Sequence, residues 1–560
     1  MGGNQKMLDA IYKLGELVIK KEQLDLLNIL LPNNEQDTVI TVEIIQEDNQ
    51  FKYNKTFQED YDSKNYIKYL NKGGNGNGLN PSPSAQLTDD WETKTYPKKF
   101  LKWFETHKKE TPLFNQLNEL LTENNQIILE DIKKIHESID KNKKKVLLTL
   151  CIVKNNEKCY FGDIHEFREI IKKNYITKYS NGSKKIKGNG VCRFCNEHKT
   201  VYGNVLPALD LKFATSEKLG NTPDSIITNQ WKQIPICYDC ASYISAGKNF
   251  IEKYLNFKED GLTYYVIPNF IFESEEGFNK LYNIVARLNN QDSSNISNME
   301  HKLSIISKNL NDVVELKFLF YKKDKSAFNI LSHVDGGIPS HISKLHVLQN
   351  ELINDEKYSV LHESYLNSKI KFYEDNWYKL ILKTFEFDNK EYLEIIACIL
   401  TNKNINTTLL FSHVMDKLRE YWNNEPSFVK NTFLKSMMLI QLLNELKNRG
   451  ETMELDTYNK RCCYYAGRLV ARVIAIQYVN GKTNTPFKNN VYGLRLDGNK
   501  IKNLIVNSIA KLDEYNGYYK DLSDKFNEDF KESLTQWDLT NDETSWYFLV
   551  GYLEPKKEEN

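Results

Sequence analysis

The sequence predicts an α+β protein: a mixed N-terminal region carrying an inserted four-cysteine lobe, followed by a C-terminal helical bundle. Three observations carry this prediction. Short strand-like runs recur up to Val334, two Cys-x-x-Cys turns fall among them, and beyond about 385 apolar residues return at helical spacing. The expected bounds are a body over 1–385, the cysteine lobe over 172–260 within it, and the bundle over 386–560.

In chain order, Leu8, Ile11, Leu14, Leu17 and Val18 recur as on one face of an amphipathic helix. TVITVEII (Thr38–Ile45) and FKYNKTF (Phe51–Phe57) read as paired strands, and KGGNGNGLNPSPS (Lys72–Ser84) as a loop on its glycine and proline content. Helical patterns resume from Lys98 to His136, and VLLTLCIV (Val146–Val153) with KCYF (Lys158–Phe161) reads as a hairpin. Further strands are predicted at Leu262–Ile267, Val313–Tyr321 and Ala327–Val334. The bundle follows as helices near Tyr392–Leu400, Leu409–Trp422, Phe428–Leu446, Tyr458–Tyr478, Lys500–Leu512 and Ser545–Leu553.

The 560 residues exceed what a single core organises, so several units are expected. Lys plus Arg equals Asp plus Glu at 75 each, so any nucleic-acid contact must come from local basic patches. No stretch of 18 consecutive apolar residues suggests a membrane span, and MGGNQKMLDAIYKLGELV lacks the apolar core of a signal peptide. Lys6 stands where a myristoylation signal wants Ser or Thr. Nine thinly spread cysteines suit reduced thiols and a cytoplasmic location better than a disulfide framework.

Cys192 and Cys195 lie in GNGVCRFCN, and Cys237 and Cys240 in ICYDC, with 41 residues between the pairs. Each tight turn can present two sulfurs to one ion, and four thiolates are the tetrahedral set of structural zinc. With four sulfurs no coordination position stays open, so the expected Zn2+ stabilises and does not catalyse. His198 is close enough in sequence to stand in for one thiolate. A redox couple is the weaker reading, because two copies in one insertion fit a metal better.

Upstream, Ile171–Gly190 carries Lys172, Lys173, Lys178, Lys184, Lys185 and Lys187 with no acidic residue, interleaved with Tyr175 and Tyr179. Unpaired cations suit phosphates and rings suit bases; an ordinary solvated loop is the plain alternative. In the loop at 72–78, glycines allow close backbone approach, and Lys72, Asn75 and Asn77 offer a cation and two amides to a groove. A plain linker explains that loop equally well. In Arg461–Tyr478, Arg468 and Arg472 share a helix face away from the stripe of Leu469, Val473 and Ile476. They can clamp a phosphate backbone or pair with neighbouring carboxylates. No adjacent His-Asp, HExxH, GxSxG or GGDD set occurs, so no catalytic residue is assigned.

Taken in order, several segments resemble the large subunit of type I-B CRISPR Cascade complexes. These are MLDAIYKLGELVIKKE (Met7–Glu22), the loop Tyr69–Thr88, Cys192 through LKFATSEKLG (Leu211–Gly220) to Trp231–Phe257, HVDGGIPSHISKL (His333–Leu345), TPFKNNVYGLRLD (Thr485–Asp497) and WYFLVGYLEP (Trp546–Pro555). The resemblance makes Met1–Lys6 an extension. It implies a non-enzymatic protein at the 5′ handle of a guide CRISPR RNA that reads the PAM of target double-stranded DNA, stabilises the R-loop and recruits a helicase–nuclease for antiviral defence. The implied partners are the Cascade backbone, guide-end and small subunits, with no membrane. A small subunit made from an internal start at Met415, Met437 or Met438 is a further implication. On this reading Lys72, Asn75 and Asn77 serve PAM recognition, Lys184, Lys185 and Lys187 hold phosphates, and Arg468 and Arg472 track displaced strand. The rival readings are a zinc-containing nuclease or polymerase-like CRISPR enzyme, and a zinc-stabilised protein-interaction scaffold.

Overall fold

The apolar block from Thr38 becomes the middle of a sheet. The structure, a computed structural model, describes residues 2–31, 33–47, 50–71, 80–140, 144–211, 226–259, 262–270, 275–290, 299–310, 314–324, 327–366, 390–405, 407–446, 455–481, 486–517, 520–533 and 536–554. The chain forms two units, Met1–Lys253 with Lys325–Phe328, and Tyr254–Asp324 with Asn329–Asn560.

In the first unit, α1 (Gly2–Glu22) and α2 (Leu26–Leu30) precede the hairpin of β1 (Thr38–Glu47) and β2 (Gln50–Glu59). Then come β3 (Ala85–Leu87), α3 (Lys102–His107), α4 (Pro112–Glu123), α5 (Asn125–Ser138), β4 (Val146–Lys154) and β5 (Glu157–Tyr160). The strand order is β2-β1-β4-β3 with β5 on β4, and β1 runs parallel to β4 from Thr38 opposite Val146. Both central strands are covered on both faces, which is why they read as apolar blocks and not as alternations. Beside the sheet, Trp103 packs against Phe104, Phe114 and Phe167, and Phe161 joins through Phe104 and Phe167. The chain continues through α6 (His165–Tyr179), β6 (Lys187–Val191), β7 (His198–Tyr202), α7 (Val205–Ala208), β8 (Ile236–Cys237) and α8 (Tyr238–Tyr254). The lobe start expected at 172 falls inside α6, because helical periodicity continues through it.

The second unit holds β9 (Asn256–Glu259), β10 (Leu262–Phe270), α9 (Glu275–Asn290), α10 (Met299–Leu310), β11 (Val314–Asp324) and β12 (Ala327–Gly337). The strand order is β12-β11-β10-β9. The helices that follow are α11 (Pro339–Asn354), α12 (Glu356–Leu366), α13 (Lys390–Leu400), α14 (Thr407–Asn424), α15 (Pro426–Leu446), α16 (Tyr458–Val479), α17 (Gly498–Glu514), α18 (Lys520–Ser533) and α19 (Asn541–Leu553). Thus the C-terminal region is helical as expected, with α16 packed against α17, α18 and α19. The α18 helix was not anticipated, since KDLSDKFNEDFKES is mostly polar. Met415 lies within α14 and Met437 and Met438 within α15, all three buried. The expected boundary at 385/386 lies outside the described residues, as does residue 260. Among the described residues no helix is long and apolar enough to cross a membrane.

Candidate metal centre and nucleic-acid interface

The strands β6, β7 and β8 form a small antiparallel sheet that brings the two cysteine turns together. The first turn closes the β6–β7 hairpin. The Cys192 amide donates to the Glu197 carbonyl at 2.9 Å, the Asn196 amide donates to Cys192 O at 3.0 Å, and Asn196 reverses the chain at φ 58°. The second turn runs from the end of β8 into the first turn of α8, with Cys237 opposite Val201. Two hydrogen bonds tie the turns to each other: the Arg193 amide to the Pro235 carbonyl at 2.9 Å, and the Cys237 amide to Cys192 Sγ at 3.3 Å.

As a result, all four sulfurs of Cys192, Cys195, Cys237 and Cys240 lie within 4.8 Å of one another, and Cys195 Sγ is 3.9 Å from Cys237 Sγ. A tetrahedral ion with metal–sulfur bonds of about 2.3 Å has sulfur–sulfur edges of about 3.8 Å, so the donor set fits. Cys192, Cys237 and Cys240 are buried and Cys195 is half-buried. Among the described residues the group consists of cysteines alone, and His198 stands exposed on β7. Sulfurs this close cannot all carry charge without a cation among them. Hydrogen bonds from the Cys237 and Cys240 thiols hold Cys192 far below the ordinary thiol range. The same bond to Cys192 pushes Cys237 up to about 11, and Cys240 is raised first by its bond to Cys192. A divalent metal held by these four sulfurs would displace those protons and relieve the conflict.

Residues that no motif announced pack around the centre. Tyr12 of α1 stacks on Phe194 at 4.4 Å, its hydroxyl lies 4.0 Å from Cys240 Sγ, and burial first of all raises its pKa. Arg193 reaches Asp9 of α1 at 3.0 and 3.2 Å. Beneath them α1 and α8 meet backbone to backbone: a Cβ on Gly15 would stand 1.8 Å from Tyr243 O, and one on Gly247 2.1 Å from Ile11 O. On the small sheet, Gly188 and Gly190 leave room for the Trp231 indole, which a Cβ would meet at 2.3 and 2.8 Å. The glycines before the first turn therefore serve packing, and the centre clamps the N-terminal helix.

The basic segment differs from its sequence reading. Phe167, Ile171, Tyr175 and Tyr179 repeat every four residues, so both tyrosines lie on the buried face of α6, and Tyr175 donates to the Leu30 carbonyl at 2.7 Å. They offer no stacking surface. Lys173 pairs with Glu110 at 2.6 Å, while Lys172 and Lys178 lie over the rings of Tyr238 and Tyr175. Lys184, Lys185 and Lys187 remain exposed, and among the described residues no carboxylate pairs with them. They occupy the turn and strand leading to Cys192, with Asn181 and Lys185 in the left-handed region at φ 53° and 49°.

Arg468 pairs with Glu554 at 3.0 Å, and Arg472 holds both oxygens of Asp521 at 2.7 Å. The Asp521 carboxyl is held below the usual range by the Arg472 hydrogen bond first. The two guanidiniums are thus engaged within the bundle, which is the ion-pair alternative. Lys72, Asn75 and Asn77 lie outside the described residues.

Models of the N-terminal, central and C-terminal domains of CRISPR-associated protein TM1802 match residues 7–173, 189–336, and 376–461 with 450–560. Among curated proteins no relative matches the chain. With all three domains present in order along one polypeptide, the chain belongs to the CRISPR-associated TM1802 family.

Proposed function

We propose that this protein is the large subunit of a type I-B RNA-guided surveillance complex. In it the chain binds the guide RNA 5′ handle, recognises the PAM, stabilises the R-loop and recruits the helicase–nuclease for antiviral defence. The observation that carries the reading is the run of three family domains along the chain. Base pairing then reads the target, and the protein is left to read the short flanking duplex and to hold backbones. The ion in the four-cysteine centre is zinc, bound by sulfur alone and closed to substrate. The PAM role of Lys72, Asn75 and Asn77 belongs to the same proposal, which does not rest on Arg468 or Arg472.

Lys184, Lys185 and Lys187 are the phosphate contacts. Replacing all three by glutamine is expected to flatten the dependence of log affinity for guide RNA on log salt by roughly two to three. Titrations at four salt concentrations measure it, and an unchanged slope dismisses these lysines. The protein handles DNA without cutting it. Purified chain incubated with duplex DNA and Mg2+ or Mn2+ is expected to leave the duplex intact on a denaturing gel. Cleavage that disappears on substituting a carboxylate cluster would favour the nuclease reading.

A further inference from the structure

The segment Pro486–Leu494, between α16 and α17, ends in a turn built to hold one side chain out. Tyr492 (φ −57°, ψ 135°) and Gly493 (φ 75°, ψ −6°) have the dihedrals of the two central residues of a type II turn. Tyr492 stands at its apex with 77% of its surface exposed, whereas Val491 and Leu494 on either side are buried. An isolated exposed ring needs no explanation, but the anchoring of this one does. The Trp422 indole N–H donates to the Val491 carbonyl at 3.1 Å, the Gly493 amide donates to Asn423 Oδ1 at 3.1 Å, and Arg419 Nε donates to the Leu494 carbonyl at 3.3 Å. Three residues of α14 thus grip three positions of the turn. Arg419 is itself fixed by ion pairs to Asp416 and Asp542. Leu494 adopts φ 48°, a conformation that L side chains rarely take and that the surroundings must impose.

The residues that flank the turn along the chain are polar and cationic. Asn489 and Asn490 are exposed, Lys488 lies 5.5 Å over the Trp422 ring, and Arg495 is exposed with no carboxylate partner among the described residues. A protein-docking surface would add apolar area around an aromatic anchor. A rigid ring three positions before the exposed Arg495 instead matches one base and its phosphate. We propose that Tyr492 is a stacking platform for an unpaired nucleobase, with Arg495 on the adjoining phosphate. The inference rests on the nucleic-acid reading above and gives it a specific residue.

The test uses the full-length chain and fluorescence anisotropy with two labelled strands of about 20 nucleotides, an oligothymidylate and an abasic strand of equal charge. Tyr492→Ala is expected to weaken oligothymidylate binding about ten-fold while leaving the abasic strand within about two-fold, and Tyr492→Phe to bind as the wild type does. Arg495→Gln is expected to lower the salt slope by about one on both strands. Wild-type affinity in Tyr492→Ala, or equal loss on both strands, overturns the proposal. So does a Tyr492→Ala protein that binds oligothymidylate normally but no longer associates with a protein subunit. If the wild-type chain binds duplex or guide RNA but no unpaired strand, the inference falls and the preceding reading stands. If it binds no nucleic acid, both fall.

Discussion

Cys237→Ser is expected to abolish stoichiometric zinc binding and to release the N-terminal helix. Structural zinc contributes on the order of 10 kcal/mol to small metal-dependent folds at neutral pH. That is comparable with the whole net stability of a typical domain, about 5–15 kcal/mol. Cys237 also links the two turns directly, since its backbone amide donates to Cys192 Sγ and its strand pairs with β7. Losing the metal therefore loosens both turns, and with them the Arg193–Asp9 and Phe194–Tyr12 contacts that hold α1. Elemental analysis should return one zinc per wild-type chain and almost none for the variant, and trypsin should cut the variant rapidly at Lys13 or Lys20. A chelator should reproduce both effects. Acidification should as well, because protons compete with the metal for sulfur and occupancy falls with pH. A zinc-free wild-type protein that folds normally would end the structural-zinc reading.

Gly247→Ala is expected to destabilise the first unit by about 3 kcal/mol while leaving its zinc in place. On propensity alone the sign is the opposite, since alanine in a helix interior is favoured over glycine by roughly 1 kcal/mol. Contact decides otherwise. The new Cβ would lie 2.1 Å from Ile11 O and 3.0 Å from Gly15 N, and both are backbone atoms, which cannot rotate aside as a side chain can. The helices must separate, and Ile11 and Leu14, each almost fully buried, lose their packing. For a unit of this size the midpoint should fall by roughly 6–12 °C in a thermal melt. Retained zinc distinguishes this variant from Cys237→Ser, because the four sulfurs come from β6–β8 and the start of α8 and not from α1. An unchanged or higher midpoint would show that α1 and α8 do not meet in this way.

Much of the framework was legible in the sequence. The strands at Thr38, Phe51, Val146, Leu262, Val313 and Ala327 were found within a few residues, because apolar periodicity is a property of neighbours along the chain. The four cysteines that cluster were legible for the same reason, as a two-residue spacing limits where a second sulfur can go. The α18 helix was missed through its polarity, although Leu522, Phe526 and Phe530 recur every four residues. Tyr175 and Tyr179 continue a buried stripe that begins at Phe167, upstream of the basic segment, so that segment taken alone does not show that they face inward.

By itself, then, the sequence located most strands of the two larger sheets, the C-terminal helices apart from α18, the two Cys-x-x-Cys turns and the order of family segments. Tertiary structure alone decided which charges stay free and which rings are buried. Arg193 finds Asp9 at a separation of 184 residues, Arg472 finds Asp521, and Gly247 meets Ile11. The physical reason is that periodicity and ligand spacing are local, whereas the partner of a cation or an aromatic ring is set by whatever the fold brings beside it.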